Sequence, residues 1–352
     1  MAKVKLCDVI IRANTKVDKD NTHLTYYVGG EHFESGNVTV ENKGLIAGST
    51  IGPMFYYGFK AGQFLLVSRN PHLRKAGVVD FDGICSEKTF VLETANAEVL
   101  LPEYLPFVLQ NDTFWDYAVE HKHGSTNFFI NWSTLANYEF ELPDIGTQKR
   151  IADLAWAAHN LKKCYQKQIA ATDNLVKSQF IEMIDSSNER NTLGCFIKRY
   201  RPQRCGDREL PVLSVTKEKA LVFQEDRFDS TVASRDKCNY LVVPRGFIVQ
   251  GIHIDEANFG LQTLVDEGIV SPAYKIWEVT STNVVPKLLE FYLRSDRAID
   301  YYTRNFQGTT VARRQTIKPE DFLGMPLNLP KMEKQVAFWE FVEQSDKSKF
   351  VG

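Results

Sequence analysis

The stretch from Thr147 to Ile184 constrains this chain more than any other. It contains neither Gly nor Pro, and nearly every residue in it is a competent helix former. Pro143 and Gly146 precede it and Asp185-Ser186-Ser187-Asn188 follow it, so both ends carry stop signals. About 38 residues at about 1.5 Å each predict a rod of roughly 57 Å, far longer than a helix of an ordinary globular domain. Ile151, Leu154, Ala158, Leu161 and Tyr165 fall at 3-4-3-4 spacing, and the seam then slips to Ile169, Val176, Phe180 and Met183. A stripe this narrow needs another helix to lie against. The competing reading is a long core helix inside one large domain.

The chain on either side of the rod repeats itself, which argues against one core. Gly83 to Glu93 is matched 185 positions later by Gly268 to Glu278. Pro102 to Leu109 is matched 184 positions later by Pro286 to Leu293, and Gly124-Ser125-Thr126 by Gly308-Thr309-Thr310 at the same offset. Leu142-Pro143 with Gln148 is matched 187 positions later by Leu329-Pro330 with Gln335. Solenoid units run about 20–50 residues, so a period near half the chain is a duplicated domain instead. Each copy is expected to be a globular unit followed by a helix that begins near a Gln. The boundaries that follow are 1–146, a spacer helix over 147–186, 187–330, and a second helix from 331 to 352. The second helix has room for only about half the length of the first.

A chain of 352 residues is long enough for two such domains. No run reaches the roughly 18 apolar residues a membrane span needs, and the N-terminus lacks the apolar core of a secretion signal. Cys7, Cys85, Cys164, Cys195, Cys205 and Cys238 are scattered without a Cys-x-x-Cys pair, which fits a reducing, cytoplasmic setting rather than a zinc ribbon or disulfide framework. The formal charge is −2. A nucleic-acid binder usually shows a basic face, but the distribution of charge matters more than its sum.

Both copies read as mixed α and β. In the first, Phe64 to Val67 reads as a buried strand. Val78 to Gly83 and Thr89 to Leu92 add two more, and Glu103 to His121 reads as one amphipathic helix. In the second, Leu241 to Val249 is the matching strand region and Leu288 to Tyr302 the matching helix. Lys198 to Arg204 is the most basic run of the chain.

Catalytic signatures are mostly absent. There is no phosphate-cradling Gly-x-x-x-x-Gly-Lys-Ser/Thr, no His-Glu-x-x-His and no Gly-x-Ser-x-Gly. Gly44 to Gly52 is Gly-rich without the lysine, and reads as a turn. His121 and His123 lie two apart with no third ligand nearby, and read as solvated. An enzyme whose site is assembled in space stays open. The polar loops before the two rods carry hydroxyls, amides and, in the second copy, arginines. Such groups donate to phosphate and read base edges, although any domain has hydrophilic loops.

Gly124-Ser125-Thr126, Leu142-Pro143, Gln148-Lys149-Arg150-Ile151-Ala152 and Leu175 to Met183, in this order and duplicated, closely resemble the specificity subunit of type I restriction–modification systems. The resemblance covers nearly the whole chain. It implies an α+β fold with two duplicated target recognition domains separated by long coiled-coil-type helices. It implies that each domain reads one half of a split, asymmetric site in double-stranded DNA, while the helices set the spacer. It implies that the subunit itself has no catalytic role and binds no cofactor or metal. Two modification subunits are expected to bring S-adenosylmethionine for DNA methylation, and restriction subunits to bring ATP and Mg. The short second helix departs from the family pattern, which raises the reading of a truncated or inactive specificity subunit. A non-DNA adaptor with duplicated domains is the alternative from another class.

The candidate DNA contacts in the first domain are Ser68, Arg69, Arg74, Lys75, Ser125, Thr126 and Asn127. In the second they are Arg199, Arg201, Arg204, Arg304, Gln307, Thr309, Arg313 and Arg314.

Overall fold

A computed structural model describes residues 2–217, 219–226, 237–306 and 317–348. The chain divides into two units, Met1–Cys164 and Tyr165–Gly352.

Unit 1 opens with β1 (Ala2–Lys5), the single turn α1 (Leu6–Val9) and β2 (Ile10–Ala13). Short strands follow: β3 (Tyr26–Val28), β4 (Gly44–Leu45), β5 (Phe55–Phe59), β6 (Phe64–Val67), β7 (Ala76–Val78), β8 (Gly83–Ser86) and β9 (Thr89–Thr94). They form two sheets, ordered β2-β9-β6-β7 and β4-β3-β8-β5. Only β3 and β8 run parallel among these pairs. Every residue of β6 is apolar because both of its faces are covered. Phe64 and Leu66 enter one core, and Leu65 and Val67 enter another. This is the period-two geometry of a strand between two apolar layers.

The helix expected over 103–121 is two helices, α2 (Leu105–Leu109) and α3 (Asp112–Glu120). Asn111 divides them. Its backbone is extended, and its side chain accepts from the Thr113 N–H at 3.0 Å as an N-cap. A short turn, α4 (Trp132–Leu135), leads to β10 (Glu139–Leu142), which pairs antiparallel with β1.

The long helix, α5 (Ile145–Asp185), has 41 residues, roughly 60 Å at about 1.5 Å per residue. It starts before Gly146, because Asp144 caps it. The Thr147 hydroxyl and N–H donate to the Asp144 carboxylate at 2.8 and 2.9 Å and hold its pKa below the usual carboxylate value. The expected apolar seam is covered only near its C-terminal end. Val176, Phe180 and Ile184 are buried, whereas Leu154 is 75% and Leu161 55% exposed, and Ile151, Tyr165 and Ile169 are exposed too.

Unit 2 repeats the programme. Its strands are β11 (Ile197–Arg199), β12 (Leu213–Thr216), β13 (Ala220–Phe223), β14 (Leu241–Pro244), β15 (Ile248–Gln250), β16 (Phe259–Leu261), β17 (Glu267–Val270) and β18 (Lys275–Val279). The order β11-β18-β15-β16 reproduces β2-β9-β6-β7 strand for strand. The register repeats as well: Arg12 stands opposite Leu92, and Arg199 opposite Trp277. The second sheet is reduced to the pairs β14-β17 and β12-β13, with a parallel bridge from Val212 to Ile269 where unit 1 pairs Tyr27 with Ile84. The helix expected over 288–302 also breaks, into α6 (Pro286–Leu293) and α7 (Asp296–Arg304), with Ser295 as N-cap. Then come α8 (Pro319–Leu323) and α9 (Met332–Ser348). Phe180 of α5 packs on Phe338 of α9 with ring centroids 5.6 Å apart. The 17 residues of α9 rise only about 26 Å, so its length matches less than half of α5.

One interaction fixes both helices to their units. Gln148 is fully buried. Its side-chain oxygen accepts from the Leu101 N–H at 3.0 Å, and its Nε2 donates to the carbonyls of Val99 and Pro143 at 2.9 Å each. Gln335, equally buried, accepts from the Val285 N–H at 3.1 Å and donates to Asn283 and Pro330 at 3.1 and 2.8 Å. The buried amide uses its acceptor and both donors on main-chain groups, so none of its own polar capacity is left unpaired.

Candidate nucleic-acid interface

In unit 1 the polar loop after α3 closes on itself. His123 and Phe129 exchange N–H···O bonds of 2.7 and 3.0 Å. Gly124 makes the turn possible. Its φ is +94°, and a Cβ there would lie 2.6 Å from the Asn127 carbonyl oxygen. Ser125, Thr126 and Asn127 stand exposed at the tip. The Asn70 N–H donates to Phe128 O at 2.8 Å and the Ile130 N–H to Ser68 O at 2.9 Å, so segment 68–70 lies beside this loop. The fold therefore brings exposed Arg69 next to Ser125, Thr126 and Asn127, although more than fifty positions of sequence separate them. The Lys122 ammonium lies 4.8 Å over the Phe128 ring, and Phe129 is 39% exposed. Nearby, Glu87 is ion-paired with Lys88 at 2.7 Å; the Lys88 bond, and more weakly Arg69, lower its pKa. Cations, amides, hydroxyls and an open ring together can take a phosphate backbone and a stacked base.

The other three unit 1 candidates are engaged inside the unit. Ser68 is buried and its hydroxyl donates to Lys88 O at 2.8 Å. Arg74 pairs with Asp112, and the Lys75 ammonium donates to Gly30 O at 2.7 Å.

In unit 2, Arg199 is exposed on β11 with its guanidinium 5.3 Å over the buried Trp277 ring. Burial pushes the Arg199 pKa down. Burial, and then the Arg199 charge, pushes Lys275 down. Two cations crowded in a partly desolvated place favour an anion. Arg201 is exposed. Arg204 donates to the Asn239 side chain at 2.8 Å, and exposed Arg304 stands 3.9 Å from Asp300. Gln307, Thr309, Arg313 and Arg314 lie outside the described residues.

Sequence reasoning missed Arg12. Its guanidinium lies 4.7 Å over Phe90 and 5.6 Å over Tyr57. Its Nε is the one buried side-chain nitrogen or oxygen without a hydrogen-bond partner among the described residues. The signal was present: Arg12 and Arg199 stand 187 positions apart, the offset that also relates Gln148 to Gln335.

His121 is stacked on Tyr117, ring centroids 4.1 Å apart, and bonds to the Tyr117 carbonyl. Among the described residues no group of three His, Cys, Asp or Glu side chains could hold a metal ion, and no helix is long and apolar enough to cross a membrane.

No family model and no curated protein matches the sequence. Solved structures do match its fold. A chain from the structure of a type I restriction–modification system described for its complex assembly and conformational transition has 14% identity and a TM-score of 0.57, over 99% of this chain and 92% of that one. The S subunit of the type I system from M. genitalium has 10% identity and a TM-score of 0.56, over 99% and 90%. The HsdS subunit from Thermoanaerobacter tengcongensis has 15% identity over 99% and 90%, with a TM-score of 0.42. The duplicated α+β architecture with its long helix is therefore the fold of type I specificity subunits.

Proposed function

We propose that this chain is the DNA-reading subunit of a type I restriction–modification complex. The observation that carries the reading is the duplication itself. Two units share the order and register of one four-stranded sheet and a buried glutamine at the start of a helix, yet differ in sequence between these anchors. Repetition of a frame with divergence of its surface fits two readers of one duplex.

Each unit reads one half of a bipartite, asymmetric site, unit 1 through the Arg69 and Ser125–Asn127 surface and unit 2 through the Arg199–Arg204 run. One turn of duplex is about 34–36 Å, and a helix of roughly 60 Å is stiff enough to fix a spacer on that scale. The helices dock two modification subunits, which supply S-adenosylmethionine and perform the methylation. Restriction subunits supply the ATP- and Mg-dependent steps. This chain supplies the address and no chemistry.

The test is co-purification with a modification subunit followed by mapping of methylated bases. Two unlike half-sites at one fixed separation are expected. A palindromic or uninterrupted site overturns the reading. The net charge of −2 is the observation that favours an adaptor without DNA. A salt series on duplex binding separates the two, because phosphate contacts release counterions and make affinity fall steeply with salt.

A further inference from the structure

We infer that Arg12 and Arg199 are the DNA contacts the two units hold in common, one arginine for each half-site, an inference that rests on the function proposed above. Most described arginines are tied down within their own unit: Arg74 to Asp112, Arg208 to Glu267, Arg245 to Asp266 and Arg297 to Asp185. Arg12 and Arg199 are not. Among the described residues, Arg12 lies over two aromatic rings and Arg199 over one, and neither forms an ion pair with a carboxylate.

Their positions coincide. Arg12 on β2 stands opposite Leu92 of β9, and Arg199 on β11 opposite Trp277 of β18, in sheets of identical strand order. Where two copies have drifted this far in sequence, a charged residue kept at one register position has a role common to both. Its surroundings show that the role is not internal charge balance. Lys275, another cation, is next to Arg199. Arg12 acts on the Cys85 thiol, whose pKa burial pushes up to about 12, so the thiol is not a counter-charge.

A guanidinium laid on a ring loses hydration on its face but keeps its N–H groups pointing outward in the plane. It has already given up side-chain freedom, so little further ordering is required when a partner arrives. That partner must offer two acceptors side by side. DNA offers them as guanine O6 and N7, or as two oxygens of one phosphate. The Nε of Arg12 is itself buried, so the contact falls to the two terminal nitrogens of its guanidinium.

The test uses the full chain in complex with its modification subunits and the mapped duplex. Arg12→Met and Arg199→Met keep the aliphatic stem on the ring and remove the donors. Each is expected to weaken binding about 10- to 100-fold, the range of one bidentate contact. Base substitutions in one half-site should then cost the Arg12 variant less than wild type, with the other half-site showing this for Arg199. That pattern assigns a guanine edge. Uniform loss across sequences with a salt slope smaller by about one assigns a phosphate instead. Both outcomes support the contact. Folded variants that bind and discriminate like wild type overturn it. Since Arg199 is exposed, its variant decides the matter if Arg12→Met melts early. If the wild-type complex binds no duplex at all, it is the proposed function that fails, not the choice of arginines.

Discussion

Unit 1 and unit 2 spend their polar side chains differently at equivalent points, and the contrast separates frame from surface. Gln148 and Gln335 make the same three main-chain bonds at offsets of 184 to 187. One step away the chemistry diverges. Gln110 binds the carbonyls of Asn37 and Ala76, whereas Arg294, at the matching position, binds those of Thr216, Lys217, Ala257 and Phe259. The carbonyl groups of a sheet end need donors, and either side chain provides them. The junction with each helix needs an acceptor for one N–H and two donors for carbonyls, a set that a side-chain amide supplies. The helix bases differ too. Phe338 on α9 is buried at 8% exposure, while Ile151, its counterpart on α5, is 40% exposed. Val176, Phe180 and Ile184 belong to the same core as Phe338, and within unit 1 nothing plays their part.

The sharpest way to break this comparison is to remove the shared element. Gln148→Leu and Gln335→Leu each remove three hydrogen bonds, at about 1 kcal/mol apiece, so each unit should lose about 3 kcal/mol. Hydrogen exchange on the whole chain should show the loss in unit 1 for the first variant and in unit 2 for the second. Loss spread evenly over both units would show that they are not independently closed. Next, Phe338→Ala should cost about 3 kcal/mol by opening a cavity, and Ile151→Ala about 0.5 kcal/mol or less. Equal costs in chemical denaturation would mean that Ile151 is covered in solution. The smallest effect concerns Glu290, which accepts from the Leu261 N–H at 3.1 Å and whose pKa burial raises above 4.5. A raised folded pKa means its contribution is full below about pH 4.5 and is lost as pH rises through the folded value. Glu290→Gln should therefore stabilise unit 2 at pH 7 by about 0.5 kcal/mol, with the gain vanishing in acid. The matching position in unit 1 is Pro106, so unit 1 should show no such dependence in a melting series against pH.

The long helix and the duplication were legible because both are properties of chain order: a run free of Gly and Pro, and anchors at one offset. The breaks at Asn111 and Ser295 were not read, although both are N-cap residues, because apolar periodicity runs across them and suggests one helix. Gln148 and Gln335 were visible as markers but not as buried hubs, since their partners lie some fifty residues earlier in the chain. The candidate contacts divide for the same reason. Arg69 and Ser125 to Asn127 come together through main-chain pairing that no local pattern encodes. Ser68, Arg74 and Lys75 look like surface residues in sequence and are occupied by Lys88, Asp112 and Gly30 in the fold.

The glutamine hubs draw on nothing but main chain, and any amino-acid sequence supplies main chain. Replacing side chains around positions 99–101 or 283–285 would leave the fitting intact, provided that the glutamine and the path of the backbone it bonds to survived. Backbone path rather than side-chain identity is thus what each junction holds constant, and the surface beyond it is left at liberty to vary.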